Sequence, residues 1–177
     1  MIDNNHIEIL KSLSESEMNT RLLRVGIYLS AYEFIRSMII EKTKFIHVTG
    51  QDFNGDYKYD PDYENNVLKF HKSPFISSAK YLCGHFGAIN EDDVQFIIEF
   101  REYRNKVAHE VYNYILEDSF EGQRMLTRAK DMVQKPENFW MYIDIGYELK
   151  LQNIDVDWEK ARGNSVSFID HLITAIP

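Results

Sequence analysis

One short run of the sequence carries side chains that can bind an anion and move a proton. Residues 104–110 read RNKVAHE and place Arg104, Asn105 and His109 within two turns of a segment with helical spacing. A guanidinium can hold a phosphate with two hydrogen bonds and stabilise the charge that develops as a bond breaks. An imidazole can remove or return a proton near neutral pH. Because RNA supplies its own 2′-hydroxyl nucleophile, this set fits phosphodiester cleavage without a metal ion.

Helical spacing divides these side chains between two faces. Asn105 precedes His109 by one turn and can orient its ring, and Arg101 and Tyr112 continue the same stripe. Arg104 is five residues from His109, about 140° around an ideal helix at roughly 100° per residue. The guanidinium and the imidazole converge only if the arginine bends across, the helix is distorted, or a second subunit completes the cleft. This spacing favours a site shared between subunits.

Arg104 also interrupts an apolar stripe that includes Ile97 and Phe100. A cation on such a face must be paired, hydrogen-bonded or turned toward a cleft, because an unpaired buried charge is costly. Glu33 and Glu99 are both possible partners, and the sequence leaves the choice between them open.

The run from Arg104 to Glu110 resembles the R-x(4–6)-H signature of the HEPN superfamily (higher eukaryotes and prokaryotes nucleotide-binding). The polar Asn105 directly after the arginine and the Ala108-His109 ending match as well. The resemblance implies an α-helical bundle, often a homodimer in which motifs from both subunits meet in one cleft. Many members are metal-independent endoribonucleases of toxin–antitoxin, abortive-infection or other defence systems. By this resemblance Arg104 and His109 are catalytic and Asn105 supports them.

A noncatalytic HEPN-like dimerisation or partner-binding module is the alternative. In that interpretation Arg104 makes a structural ion pair, and His109 is a core or interface histidine with satisfied hydrogen bonds. The partners expected from the two hypotheses are a second copy of the chain, an RNA substrate, and an antitoxin or regulatory protein.

Binding of RNA requires further cations and stacking surfaces beyond the motif. Several of the candidates have acidic neighbours such as Glu121 and Asp131, so ordinary ion pairing in solvent is the competing interpretation. Ion pairing in solvent is the favoured interpretation for Lys106, whereas phosphate binding is favoured for Arg128. The predicted RNA-binding residues are Arg101, Lys106, Tyr112, Arg124 and Arg128.

The composition bounds the remaining classes. A chain of 177 residues with 44% hydrophobic and 27% charged residues fits one folded domain, which we expect to span 1–177. The formal net charge of −8 opposes a sequence-wide attraction to nucleic acid, so a basic site must be local. The single cysteine, Cys83, excludes an intrachain disulfide and has the neighbours of a buried, inert thiol. No zinc-ligand pattern occurs, and we expect neither a metal nor a cofactor.

Residues 1–6 lack the start of a signal peptide, and no apolar run reaches membrane-spanning length. These features predict a cytoplasmic protein.

Periodicity and capping signals predict an all-α bundle of about four to six helices. Ser14 with Glu17, Ser73 with Pro74, and Asn90 with its acidic first turn mark helix starts, and Pro136 separates two helices. The residues of the first helix whose spacing predicts a core face include Leu22, Val25, Leu29, Tyr32 and the aliphatic stem of Arg36.

Residues 47–72 contain glycine, proline and many acidic residues, and they predict a long irregular loop. A solvated acidic loop is favoured there over a calcium site, because the glycine is misplaced for an EF-hand. No segment has persuasive strand periodicity. Helices are expected near 14–45, 73–86, 90–116, 121–134, 137–150 and 166–175.

Overall fold

Helices dominate the computed structural model, which describes residues 8–9, 11–117, 120–158 and 160–177. Residues 1–6, for which the sequence predicts no signal peptide, lie outside this part of the chain. The all-α prediction is confirmed, with one small hairpin added. Among the described residues, no helix is sufficiently long and apolar to cross a membrane. The elements are α1 (Glu15–Phe45), β1 (Val48–Gln51), β2 (Tyr57–Tyr59), α2 (Pro74–Tyr81), α3 (Glu91–His109), α4 (Val111–Glu117), α5 (Gly122–Met141), α6 (Tyr147–Leu151) and α7 (Asn164–Thr174).

Helix α1 is the central element, packed against α2, α3, α4, α5 and α7. It begins with the predicted capping box, in which Ser14 Oγ accepts a hydrogen bond from Glu17 N and Glu17 Oε2 accepts one from Ser14 N. Its buried face continues into a core shared with α2, α3 and α5. Leu22, expected on that face, is 45% exposed, so this part of the predicted stripe is wrong. The largest fully buried side chains of the core include Tyr28, Ile35, Phe75, Phe96, Phe100 and Leu126.

The segment 47–72 contains a hairpin where no strand was expected. Strands β1 and β2 pair antiparallel, and the Asp52 carboxylate shapes their turn by accepting hydrogen bonds from Asn54 N at 2.8 Å and Asp56 N at 3.0 Å. Gly55 has a φ of +87°, which a residue with a side chain rarely adopts. Strands of four and three residues are too short for a two-residue period to be recognised. The π-helical turn Tyr63–Val67 and the 3₁₀ turn Leu68–Phe70 complete the segment.

Helix α2 begins where Ser73-Pro74 predicted it, with proline in the first turn. It passes into a π-helical turn at Leu82–Phe86, and Gly87 ends this turn with a left-handed φ of 61°. The predicted extent of 73–86 therefore holds, although the last turn is π-helical rather than α-helical.

Helix α3 ends earlier than the predicted limit near residue 116. Glu110 leaves helical geometry with φ −117° and ψ 26°, and α4 starts at the next residue. The sequence has no glycine or proline near Glu110, so no local signal predicts that the helix ends there. The change of direction accompanies the burial of three consecutive residues in α4, Tyr114, Ile115 and Leu116. An unbroken amphipathic helix does not bury three consecutive side chains on one stripe.

Helix α5 runs through Pro136, where the sequence predicted a separation between two helices. Proline has no N–H and costs helix stability. Here Val133, Pro136, Glu137 and Trp140 are all buried, so tertiary packing outweighs the local cost. The predicted helix 137–150 is instead the end of α5, a π-helical turn at Tyr142–Gly146, and α6.

A buried carboxylate from α5 caps the start of α7. Glu137 accepts hydrogen bonds from Ser165 N at 2.9 Å and from Val166 N at 3.1 Å. Gly163 makes room for it, because a Cβ at this position would lie 2.3 Å from Glu137 Cδ. We expect Glu137→Ala to lower the free energy of unfolding by about 1–3 kcal/mol, since two amides at a helix start lose their acceptor.

Urea unfolding measures this change, with Glu148→Ala as the matched control because Glu148 is exposed on the neighbouring α6. The control is expected to change the free energy of unfolding by no more than about 0.5 kcal/mol. Equal stability of the two variants would contradict the capping role of Glu137.

Candidate functional site

Helix α3, which carries residues 104–109, is held firmly at its start. Asn90 Oδ1 accepts from Asp93 N, and Asp93 Oδ2 accepts from Asn90 N, both at 2.9 Å. This is the capping arrangement expected at residue 90. Lys135 Nζ lies 2.7 Å from Asp93 Oδ1, so an ion pair ties α3 to α5. Buried Phe100 and Val107 anchor the helix farther along. These contacts fix α3 at its start and along the side that faces the core.

Arg104 points into a polar environment between α3 and α1. Its Nη2 lies 2.5 Å from Glu33 Oε1, its Nη1 donates to Asn105 Oδ1 at 3.2 Å, and its Cζ is 5.3 Å from the centre of the Tyr32 ring. Of the two candidate partners of Arg104, Glu33 makes the ion pair, and Glu99 pairs with Arg128 instead. The Arg104 side chain is 33% exposed. It combines a structural ion pair with access to solvent.

The hydrogen-bonding capacity of Arg104 is not exhausted. Its Nε is buried, and the described residues provide no acceptor for it. Its main carboxylate partner, Glu33, is shared with Arg36, whose Nη1 lies 3.3 Å from Glu33 Oε2. One carboxylate therefore serves two guanidiniums.

Asn105 contacts Arg104 rather than His109. Its amide oxygen accepts from the guanidinium, and within the described part of the chain no hydrogen bond joins Asn105 to His109. His109 is the last residue of α3 and is exposed. Among the described residues, no hydrogen bond or ion pair joins the His109 imidazole to the Arg104 guanidinium.

A polar cleft of about 460 Å³ opens beside Arg104. Four cationic side chains and one carboxylate line it, so positive charge is in excess on a chain whose formal net charge is −8. Three elements build it: α1, the segment that starts α2, and the middle of α3. The lining residues are Tyr32, Glu33, Arg36, Lys72, Ser73, Pro74, Arg101, Arg104 and Asn105.

The pKa of the Tyr32 phenol at the wall of the cleft is affected first by burial and then by the surrounding charges. Burial raises the pKa of Tyr32, and Glu33 adds to the rise. The guanidiniums of Arg104, Arg101 and Arg36 oppose it, in that order of strength. All three cations therefore lie close enough to act on one phenol at the wall of the cleft.

The structure brings together only some of the predicted site residues. Arg101, Arg104 and Asn105 share the cleft, whereas the other predicted RNA-binding residues lie outside its lining. Lys106 is exposed. Tyr112 is half-buried and belongs to α4 rather than α3, because the helix breaks at Glu110. The two remaining arginines have acidic partners, Arg124 pairing with Glu121 and Arg128 lying 3.2 Å from Glu99 and 4.4 Å from the centre of the Phe96 ring.

Sequence reasoning missed Arg36 and Lys72 as members of the site. Arg36 fits the core face of α1 only by its aliphatic stem, and its spacing of three from Glu33 is the signal that its guanidinium belongs to a polar site. Lys72 directly precedes the predicted helix start at Ser73, a position where anions are stabilised.

Within the described ranges, no group of three or more His, Cys, Asp or Glu side chains is arranged to hold a metal ion.

Cys83 is half-buried rather than buried. Burial still raises the pKa of its thiol, as do Glu91 and Asp93, which fits the inert thiol predicted from the sequence.

Comparison of the chain with protein-family models, with curated proteins and with solved structures found no significant match. The cleft and the motif are therefore the features of the described chain that bear on its function.

Proposed function

We propose that this chain is a HEPN-like, metal-independent endoribonuclease in which Arg104 binds the scissile phosphate and His109 moves a proton. The observation that carries the proposal is the position of Arg104, which lines a cleft rich in cations and lies five residues before an exposed histidine on the same anchored helix. Asn105 supports the site by holding the guanidinium at 3.2 Å.

The proposed reaction balances without a metal or a redox partner. The 2′-hydroxyl of one nucleotide loses its proton as its oxygen attacks the neighbouring phosphorus. The bond from phosphorus to the 5′-oxygen breaks, and that oxygen takes up a proton. The products are a 2′,3′-cyclic phosphate and a 5′-hydroxyl. The His109 imidazole accepts or returns one of these protons, while Arg104 stabilises the added negative charge on the phosphate.

The two groups lie on different faces of α3, so we place the active site between two copies of the chain. Arg104 of one copy and His109 of the other then act on one phosphate. A symmetric dimer repeats this arrangement and contains two such sites. The open cleft and the exposed imidazole support this interpretation because both are accessible to a second copy.

Mixing of two inactive variants tests the shared site. We expect Arg104→Gln and His109→Ala to be inactive alone and to recover about a quarter of wild-type activity after denaturation and refolding as an equimolar mixture, because mixed dimers retain one intact site of two. The measurement is cleavage of a labelled RNA by the separate and the mixed variants. Failure of the mixture to recover any activity would contradict a site built by two subunits.

A cytoplasmic location and a role as a toxin or defence protein, controlled by an antitoxin or another regulatory protein, extend this proposal. A regulator with an acidic surface would inhibit the protein by covering the same cationic cleft.

A noncatalytic interaction module is the second candidate, and the Glu33–Arg104 ion pair together with the Tyr32 ring favours it. It predicts no RNA cleavage and a weaker dimer or partner complex in Arg104→Ala. Sedimentation of wild type and variant measures this, and unchanged assembly would count against the module.

A further inference from the structure

The cleft contains more cations than the proposed chemistry uses. Arg36, Lys72 and Arg101 come from three separate elements and line the same space as Arg104. We propose that these three residues form a phosphate subsite, which holds the RNA backbone beside the phosphate bound by Arg104. The assignment to RNA rests on the proposed nuclease function.

Two of the three cations are available to a ligand. In the part of the chain that the structure describes, neither Arg101 nor Lys72 has a salt-bridge partner. Arg36 pairs only with Glu33 at 3.3 Å, and the two side chains are 41% and 43% exposed. An ion pair with this much solvent access is weak. A phosphate can therefore compete for all three side chains.

The helix spacing separates the subsite from Arg104. Arg101 lies three residues before Arg104 on α3, which places their Cβ atoms about 5–6 Å apart. That separation is of the order of the distance between neighbouring phosphates in a single strand. One arginine can thus hold the scissile phosphate while the other holds the next one along the backbone.

The start of α2 adds a hydroxyl donor and positive potential. Ser73, the N-cap of α2, lines the cleft, and its hydroxyl makes no capping hydrogen bond. Its backbone N–H is already committed, donating to His71 Nδ1 at 2.9 Å. The Ser73 hydroxyl remains for a phosphate oxygen, next to the positive end of the helix dipole.

Binding measured without cleavage tests the subsite. The probe is a labelled oligouridylate of about ten nucleotides, bound to the full chain with His109→Ala added to prevent turnover. We expect Lys72→Gln and Arg101→Gln each to weaken binding about 3- to 10-fold and the double variant about 30-fold. The slope of log affinity against log salt is expected to fall by roughly 0.7 for each charge removed. Lys150→Gln is the matched control because Lys150 is exposed on α6 and lies outside the cleft.

The outcomes separate this proposal from the nuclease. Unchanged RNA affinity and salt slope in a folded Lys72→Gln, Arg101→Gln double variant would overturn the subsite, even if wild type cleaves RNA. Dependence of RNA binding on both residues supports it, even if wild type cleaves nothing.

Discussion

Replacement of His109 with alanine is expected to slow RNA cleavage by about 100- to 10,000-fold, the range contributed by one proton-transfer group. His109 is exposed at the end of α3, and the described structure assigns it no hydrogen bond or ion pair. Its loss should therefore leave the fold and the thermal unfolding temperature almost unchanged. The initial rate of cleavage of a labelled RNA measures the effect.

His171→Ala is the matched control for that experiment. His171 is also exposed in the last turn of a helix, α7, and lies outside the cleft. We expect this variant to cleave RNA at the wild-type rate. Wild-type rates in both histidine variants would remove His109 from the mechanism.

Replacement of Arg104 with glutamine is expected to lower the cleavage rate by about 100- to 1,000-fold, the loss typical of one donor to a developing oxyanion. Its effect on stability should be far smaller. The Glu33–Arg104 pair is 43% and 33% exposed, so its removal should cost about 0–1 kcal/mol. Parallel measurement of cleavage rate and urea unfolding separates the catalytic and structural roles.

Arg162→Gln provides the comparison for Arg104→Gln. Arg162 is 58% exposed and pairs with Asp170 at 3.3 Å outside the cleft. A loss of activity confined to the Arg104 variant supports phosphate binding in the cleft. If Arg104→Gln instead cleaves RNA normally but unfolds at much lower urea, Arg104 is a structural residue.

Local signals account for the parts of the fold that were predicted well. The Ser14–Glu17 and Asn90–Asp93 capping boxes act over three residues, and both helices begin where these signals lie. The break at Glu110 and the continuation of α5 through Pro136 depend on burial against distant elements. Such tertiary contacts cannot be predicted from the residues next to Glu110 or Pro136.

The candidate site likewise contains residues that local sequence places and residues that only tertiary packing places. Arg101 and Asn105 share a face because they are four residues apart. Arg104, which the spacing places on the other face, joins them in the cleft because its guanidinium reaches Asn105 and Glu33. Arg36 and Lys72 reach the cleft because α1 and the start of α2 pack beside α3. The choice of Glu33 over Glu99 as the partner of Arg104 likewise depends on the position of α1 relative to α3.

Cleavage of RNA in the presence of excess EDTA is the decisive measurement for a metal-independent nuclease. The substrate is one labelled oligoribonucleotide, compared with the same sequence carrying 2′-deoxyribose throughout. We expect chelator-resistant cleavage of the RNA alone, with 2′,3′-cyclic phosphate and 5′-hydroxyl ends. Complete loss of cleavage with EDTA, or equal cleavage of the 2′-deoxy substrate, would contradict the proposed mechanism.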